Sequence, residues 1–326
     1  MNKICIIVCY IGKFPDYFDY FISSCINNPT IDFLIFNDYI KNDYINKNIT
    51  FKRLSLQEFN NLSSRNLNLS INLRDSWKIN ELKPAFGVIF KDYLKKYDFW
   101  AWADLDLIFG KIRHFLTDEI LNSFDVISTK EHWTAGHFCL FKNNEKCNTM
   151  FTQSPNYQSI FTSDKYTAFE ESCHRWDGDI FSIQYLTENN MLVSMFDLVK
   201  NLANLDYIKL LLKDNIREYP QAINYIYSNG KLFDKTNNQE FFYYHLHTIK
   251  KIWRFYIPKW KDIPNEYIIT SMGIQKINEG SGVSLLFWKV NRLKNILPKI
   301  YKSIQNQTTM ELIRKIFHFL SAFSKA

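Results

Sequence analysis

Two carboxylates, Asp104 and Asp106, stand near the end of Tyr97–Ile112, YDFWAWADLDLIFGKI, a stretch otherwise apolar and aromatic enough to be a buried strand. Residues i and i+2 of an extended segment point to the same side, so both carboxylates converge just beyond that strand. Such a pair repels itself unless a cation sits between, and hard oxygen ligands suit Mg²⁺ or Mn²⁺. The triplet by itself is weak: 20 Asp in 326 positions lead to about 1.2 Asp-x-Asp triplets by chance, and the chain has two, the other being Asp177-x-Asp179. A solvated strand end with capping Asp residues is the plainer reading.

His245-x-His247 is rarer, since seven His predict about 0.15 such pairs. It ends the aromatic run FFYYHLH and is followed by Lys250, Lys251 and Arg254. One imidazole could complete a metal shell begun by the Asp pair, with the lysines contacting phosphate oxygens; an imidazole among carboxylates tilts preference toward Mn²⁺. The alternative is a partly buried structural His pair. Between the two motifs lie Glu170, Glu171, Asp177 and Asp179, from which a general base for a sugar hydroxyl would be drawn. Asp177 or Asp179 could instead cap the helix that follows, an explanation not open to Glu170 and Glu171. In His132-Trp133-Thr134-Ala135-Gly136-His137, polar groups flank a glycine that lets a ligand approach the backbone, though a tight loop accounts for Gly136 equally well.

The elements that must position these groups follow from hydrophobic periodicity. Lys3–Tyr10 is a β-branched run read as a first strand, not a signal peptide, followed by a helical pattern from Tyr17 to Cys25. Strands are expected at 31–36 and 49–54, then a helix capped at Ser55 with Glu58 three residues on. Pro84 should open a helix leading to a central strand, Asp98 to Ala103. Further strands are expected at 126–128, 137–141, 191–196 and 241–245, a helix at 179–189, and a hairpin at 225–233 turning on Ser-Asn-Gly-Lys. The alternation predicts an α/β fold with a mostly parallel mixed sheet flanked by helices, Rossmann-like in its order. In such sheets ligands bind beyond the carboxyl ends of the strands, where Asp104 and Asp106 fall.

Composition narrows the function. Aromatics reach 17%, which suits a large core first and sugar-stacking surfaces second. Six scattered cysteines show no C-x-x-C pair, so a reducing cytoplasm fits, and no apolar run reaches the roughly eighteen residues of a membrane span. From Lys289 onward eight basic residues face Glu311 alone, so the whole net charge of +7 lies in the tail. This disfavours a nucleic-acid surface and suggests basic helices lying on anionic lipid. P-loop, G-x-G-x-x-G and G-x-S-x-G motifs are absent from the sequence.

Three stretches, KICIIVCYIGKFPDYFDYFISSCINNPTIDFLIFND, LKPAFGVIFKDYLKKYDFWAWADLDLIFGKI and YYHLHTIKK, resemble a family of bacterial glycosyltransferases of the type A (GT-A) fold from capsule and O-antigen biosynthesis, many described only as a domain of unknown function. The resemblance implies a nucleotide-sugar-dependent transferase with Asp104 and Asp106 as its D-x-D motif on a metal-bound donor diphosphate. It implies Tyr10, Gly12 and Lys13 near the nucleotide, Asp38 near base or ribose, Lys83 near the donor, and His245 or His247 on the metal or diphosphate. The resulting expectation is a transferase domain over 1–285, with a nucleotide-sugar and metal half at 1–130, an acceptor half at 131–285, and a basic helical tail at 286–326. Its partners would be a nucleotide sugar, a glycan or lipid-linked acceptor and an anionic membrane surface. A sugar-phosphate transferase, or a non-catalytic carbohydrate-binding protein on the same fold, are the competing readings.

Overall fold

The β-branched run after Lys3 forms β1 (Ile4–Cys9), and the apolar runs that follow form β2 (Asp32–Asn37), β3 (Ile49–Arg53) and β4 (Phe99–Ala103). Next in the chain come β5 (Leu107–Phe109), β6 (Val126–Ser128), β7 (Phe138–Lys142) and β8 (Leu210–Leu212). The computed structural model describes residues 1–39, 46–175, 179, 181–218, 224–251, 255–277, 289–294 and 297–298. The chain divides into two units. Met1–Arg217, Asn229–Leu232 and Glu240–His245 make the first; Glu218–Ser228, Phe233–Gln239 and Leu246–Ala326 make the second.

Seven strands of the first unit form one sheet in the order β3-β2-β1-β4-β7-β6-β8. Only β7 runs against its neighbours, so the expected mostly parallel mixed sheet is present. Alternation along the strands divides the core into two layers. Ile4, Ile6 and Val8 share one layer with Phe99, Ala101, Ala103 and, from α1 (Phe18–Ile26), Phe18, Phe21 and Cys25. Cys5 and Ile7 share the other with Trp100, Trp102, Phe86, Phe90 and Phe141. The helix expected after Ser55 is α2 (Leu56–Leu67), closed by a complete Ser55–Glu58 capping box.

Several expectations are corrected. Pro84 does not open a helix: it lies inside a 3-10 stretch, Ser76–Ala85, whose first turn is capped by Asp75. The helical spacing beyond it is realised as two short turns, Phe86–Ile89 and Lys91–Leu94, that meet at Phe90, whose ring stacks on Phe36 at 4.2 Å. The helix expected at 179–189 is shorter, Ile183–Glu188, because Ser182 supplies its N-cap. The strand expected at 191–196 is absent: residues 191–194 are irregular, and a helix, Met195–Asn204, begins after them. There Ser194 and Asp197 form a second capping box, and Met195, Phe196, Leu198, Val199 and Leu202 bury one face.

The chain continues through β9 (Tyr225–Ser228) and β10 (Lys231–Asp234), with Asn229 and Gly230 at the positive φ values, 49° and 81°, that a Ser-Asn-Gly-Lys turn requires. β11 (Tyr243–His245) returns to the first unit, where it pairs antiparallel with β5. In the second unit β12 (Glu266–Thr270) pairs antiparallel with β9 and with β13 (Gly273–Lys276). Residues 289–294 and 297–298 are helical, and the rest of the expected tail, 286–326, lies outside the described residues. Among the described residues no helix is long and apolar enough to cross a membrane.

Candidate functional site

Parallel pairing of β1 with β2 and β4 sets the carboxyl ends of three strands along one edge. At the first end Tyr10 N donates to Phe36 O at 3.0 Å, and Gly12 takes a φ of +122° that a residue with a Cβ rarely adopts. Gly12 N donates to Asp38 Oδ1 at 2.7 Å, while the buried Asn37 amide donates to Tyr10 O and Gly12 O. Tyr10, Gly12 and Asp38 are thus one cross-tied cradle; Lys13 is exposed beside it.

At the end of β4, Asp104 N is held by His137 O at 3.1 Å. The Asp104 carboxylate is about a third exposed, and its Oδ1 meets Lys83 Nζ at 2.5 Å. Lys83, itself buried, reaches it from the 3-10 stretch and also donates to Gly136 O at 2.6 Å. Asp106 is buried, and its Oδ1 lies 3.4 Å from His245 Nε2, with both side chains 4% exposed. The two acids therefore have different neighbours within the chain, an ammonium beside Asp104 and an imidazole beside Asp106.

The meeting of Asp106 with His245 depends on the ladder between β5 and β11, in which His245 is opposite Leu107, the residue after Asp106. Gly110 permits that ladder to close. Its N–H donates to Phe242 O at 2.7 Å, and a Cβ there would stand 2.8 Å from Phe241 O. The His137 ring lies 4.3 Å from that of His245 and is buried too. The sequence reading placed His137 in a polar loop and at the start of an expected strand, 137–141, with no link to His245. His247 and Lys250 belong to the second unit, where Lys251 Nζ lies 2.9 Å from His247 Nε2 and Lys250 sits on the short 3-10 turn Ile249–Lys251.

The acids at 170 and 171 connect to the same edge. Glu171 Oε1 accepts from Gly136 N at 3.1 Å, and a Cβ on Gly136 would approach that oxygen to 2.6 Å, so close packing is what this glycine serves. Asp104, Lys83, Gly136 and Glu171 are therefore linked contact by contact. Glu170 is buried; its Oε1 accepts from Tyr166 OH at 2.6 Å, and among the described residues its Oε2 has no hydrogen-bond partner. Burial, with the charge of Glu171 and more weakly of Glu81, pushes the Glu170 carboxyl up to about 8, against the opposing pull of Lys83 and the Tyr166 hydrogen bond.

Ala168, Cys173 and His174 all have positive φ, and non-glycine residues held in this region cluster at functional sites. Glu81, fully buried, clamps the segment by accepting from Thr167 N, Thr167 Oγ1 and Phe169 N. Neither Glu81 nor Tyr166 carried a signal in the sequence, because each acquires its role from a partner some four to ninety positions away. Asp179 is exposed and caps nothing; Asp177 lies outside the described residues.

The family described as "Family of unknown function (DUF6625)" matches residues 6–278. A comparison with curated proteins finds no match. Among solved structures, mouse xyloside xylosyltransferase 1 in its apo form aligns at 10% identity and TM-score 0.40, over 67% of this chain and 88% of its own. The galactosyltransferase LgtC with donor and acceptor sugar analogues aligns at 10% identity and TM-score 0.32, over 66% and 75%. The apo glycosyltransferase GlyE of Streptococcus pneumoniae TIGR4 aligns at 11% identity and TM-score 0.34, over 64% and 45%. The identities are too low for residue roles to be carried from these proteins to this chain.

Proposed function

The chain belongs to the DUF6625 family of unknown function, and from that premise we propose that it is a metal-dependent glycosyltransferase of the type A fold. It moves a hexosyl group from a nucleotide-sugar donor, UDP-linked, to a growing surface polysaccharide or lipid-linked glycan. The observation that supports this reading is the linked set Asp104, Lys83, Gly136 and Glu171 beside the buried Asp106–His245 pair, at the carboxyl edge of a mostly parallel sheet.

A divalent cation fits these donors. Asp106 and His245 bring an oxygen and an imidazole nitrogen together in a buried site, the D-x-D spacing names Asp104, whose carboxylate holds Lys83, as a further oxygen donor, and a mixed oxygen and imidazole set suits Mn²⁺ better than Mg²⁺. His247 joins them on the strength of the His-x-His spacing. Such a cation, when bound, offsets the charge that grows on the departing diphosphate. The other tasks fall to side chains. Tyr10, Gly12, Lys13 and Asp38 hold the nucleotide, and Lys83 and Lys250 offer ammonium groups to the donor phosphates. In an inverting transfer Glu170 takes the proton of the acceptor hydroxyl, since an ionised carboxylate whose pKa lies above the usual range is the stronger base. Glu171, committed to Gly136 N, keeps that loop in register with Lys83. Asp179 and Asp177 are the remaining candidates for the base.

Thermal-shift screening against nucleotide sugars, with and without Mn²⁺, tests the reading. One donor should stabilise the protein selectively and only with metal, by about 2.7 kcal/mol at a hundredfold excess over its Kd. Asp106→Asn should remove the metal-dependent part. If no donor produced a metal-dependent shift, the reading would fail. Release of a nucleoside monophosphate in place of a diphosphate would assign phosphosugar transfer instead.

A further inference from the structure

Trp77 is 59% exposed, and no other tryptophan among the described residues is comparably bare. It is held in that position by its own turn. Its N–H donates to Asp75 Oδ1 at 2.9 Å, and its carbonyl accepts from Asn80 Nδ2 at 3.0 Å. The indole stands edge-on to the ring of Tyr166, with centroids 5.8 Å apart, and Tyr166 in turn meets the ring of His174 at 6.1 Å. His174 is exposed and Tyr166 half-buried. Around these rings the surface is polar: Arg74, Asp75, Asp164 and Lys165 are all exposed, and Arg74 Nε lies 3.7 Å from Asp164 Oδ2.

We propose that Trp77, Tyr166 and His174 form a carbohydrate subsite that takes the C–H face of one pyranose ring of the acceptor glycan. A ring's π face is electronegative, and the axial hydrogens of a pyranose present a slightly positive apolar face of matching size, whereas the sugar's hydroxyls need a polar surround. A protein partner would call for a contiguous apolar patch, and here the rings are bordered by charges. The Tyr166 hydroxyl ties this surface to the chemistry, since it donates to Glu170 Oε1, and the second oxygen of that buried carboxyl has no hydrogen-bond partner among the described residues. The 3-10 stretch Ser76–Ala85 carries both Trp77 and Lys83, so one element reaches from the sugar platform to Asp104. The word acceptor depends on the glycosyltransferase reading; the binding of a sugar ring does not.

Saturation-transfer NMR on the full chain with methyl β-D-glucopyranoside, methyl β-D-galactopyranoside and methyl α-D-mannopyranoside as probes reads the site directly. At least one probe should receive saturation at its ring C–H protons. Trp77→Ala should weaken that binding about tenfold while Trp77→Phe keeps it. The unfolding midpoint of Trp77→Ala should match wild type, because an exposed indole contributes little to the core. Absence of transfer to all three probes, or transfer undiminished in Trp77→Ala, would overturn the proposal. A pyranoside signal lost in Trp77→Ala, in a protein that shows no metal-dependent donor shift, would keep the sugar site and remove the enzyme reading.

Discussion

Glu170 concentrates the residue-scale physics of the site. A carboxyl with its folded pKa above the unfolded value holds its proton more tightly in the native state, so its contribution to stability is complete below the usual carboxyl range. That contribution declines as pH rises toward about 8. Burial sets it first; Glu171 and Glu81 also oppose ionisation, and Lys83 and Tyr166 favour it. Glu170→Gln should therefore flatten the pH dependence, with a variant that gains on wild type in melting temperature between about pH 5 and about pH 9. The same substitution should lower kcat/KM by about 10²–10⁴ through loss of the base. Equal pH slopes in variant and wild type would show that Glu170 ionises normally. These acids were visible in the sequence as Glu170-Glu171 with no capping role, but the burial of Glu170 and the tie of Glu171 to Gly136 were not, because both depend on contacts made over long separations.

At the scale of elements the decisive piece is β5, three residues long and hidden in the sequence as the end of one apolar run. Its pairing with β11 puts His245 next to the Asp106 carboxylate, and Gly110 is where the strand passes under the carbonyls of Phe241 and Phe242. Gly110→Ala should push β5 from β11. A Cβ 2.8 Å from a backbone oxygen has no side chain to displace, so a loss of about 1–3 kcal/mol in unfolding free energy is expected, read by urea denaturation. Metal-dependent donor stabilisation should weaken with it. An unchanged denaturation midpoint would show that the ladder absorbs the methyl group. The helix at 195–204 makes a related point: its capping box and apolar spacing were both in the sequence, yet the run Met191–Phe196 was also apolar enough for a strand. Short apolar runs do not distinguish the two, and packing does.

On the scale of the whole molecule, charge separates the chain more sharply than hydropathy. The +7 resides in the tail from Lys289 onward, and the remainder is neutral. Binding to anionic vesicles should accordingly be strong for the full chain, weak for a chain ending at 286, and reduced by salt on the scale of the Debye length. Cosedimentation measures this, and equal partitioning of the two chains would count against a membrane role for the tail.

What the sequence by itself determined is the set of local facts that a few neighbouring residues can enforce. A β-branched run made β1 and short apolar or aromatic runs made β2 and β4, Ser55 with Glu58 capped α2, and Asn229-Gly230 made a turn, since each depends on the backbone preferences of adjacent residues. Asp104 and Asp106 were correctly placed at a strand's carboxyl end for the same reason. Only the tertiary structure decided which partner each carboxylate has. Lys83 arrives from 21 positions away and His245 from 139, through a 3-10 stretch and a three-residue ladder whose register no local preference specifies. Contacts of that range are chosen by burial of the whole core, where an uncompensated carboxylate is too costly to leave alone.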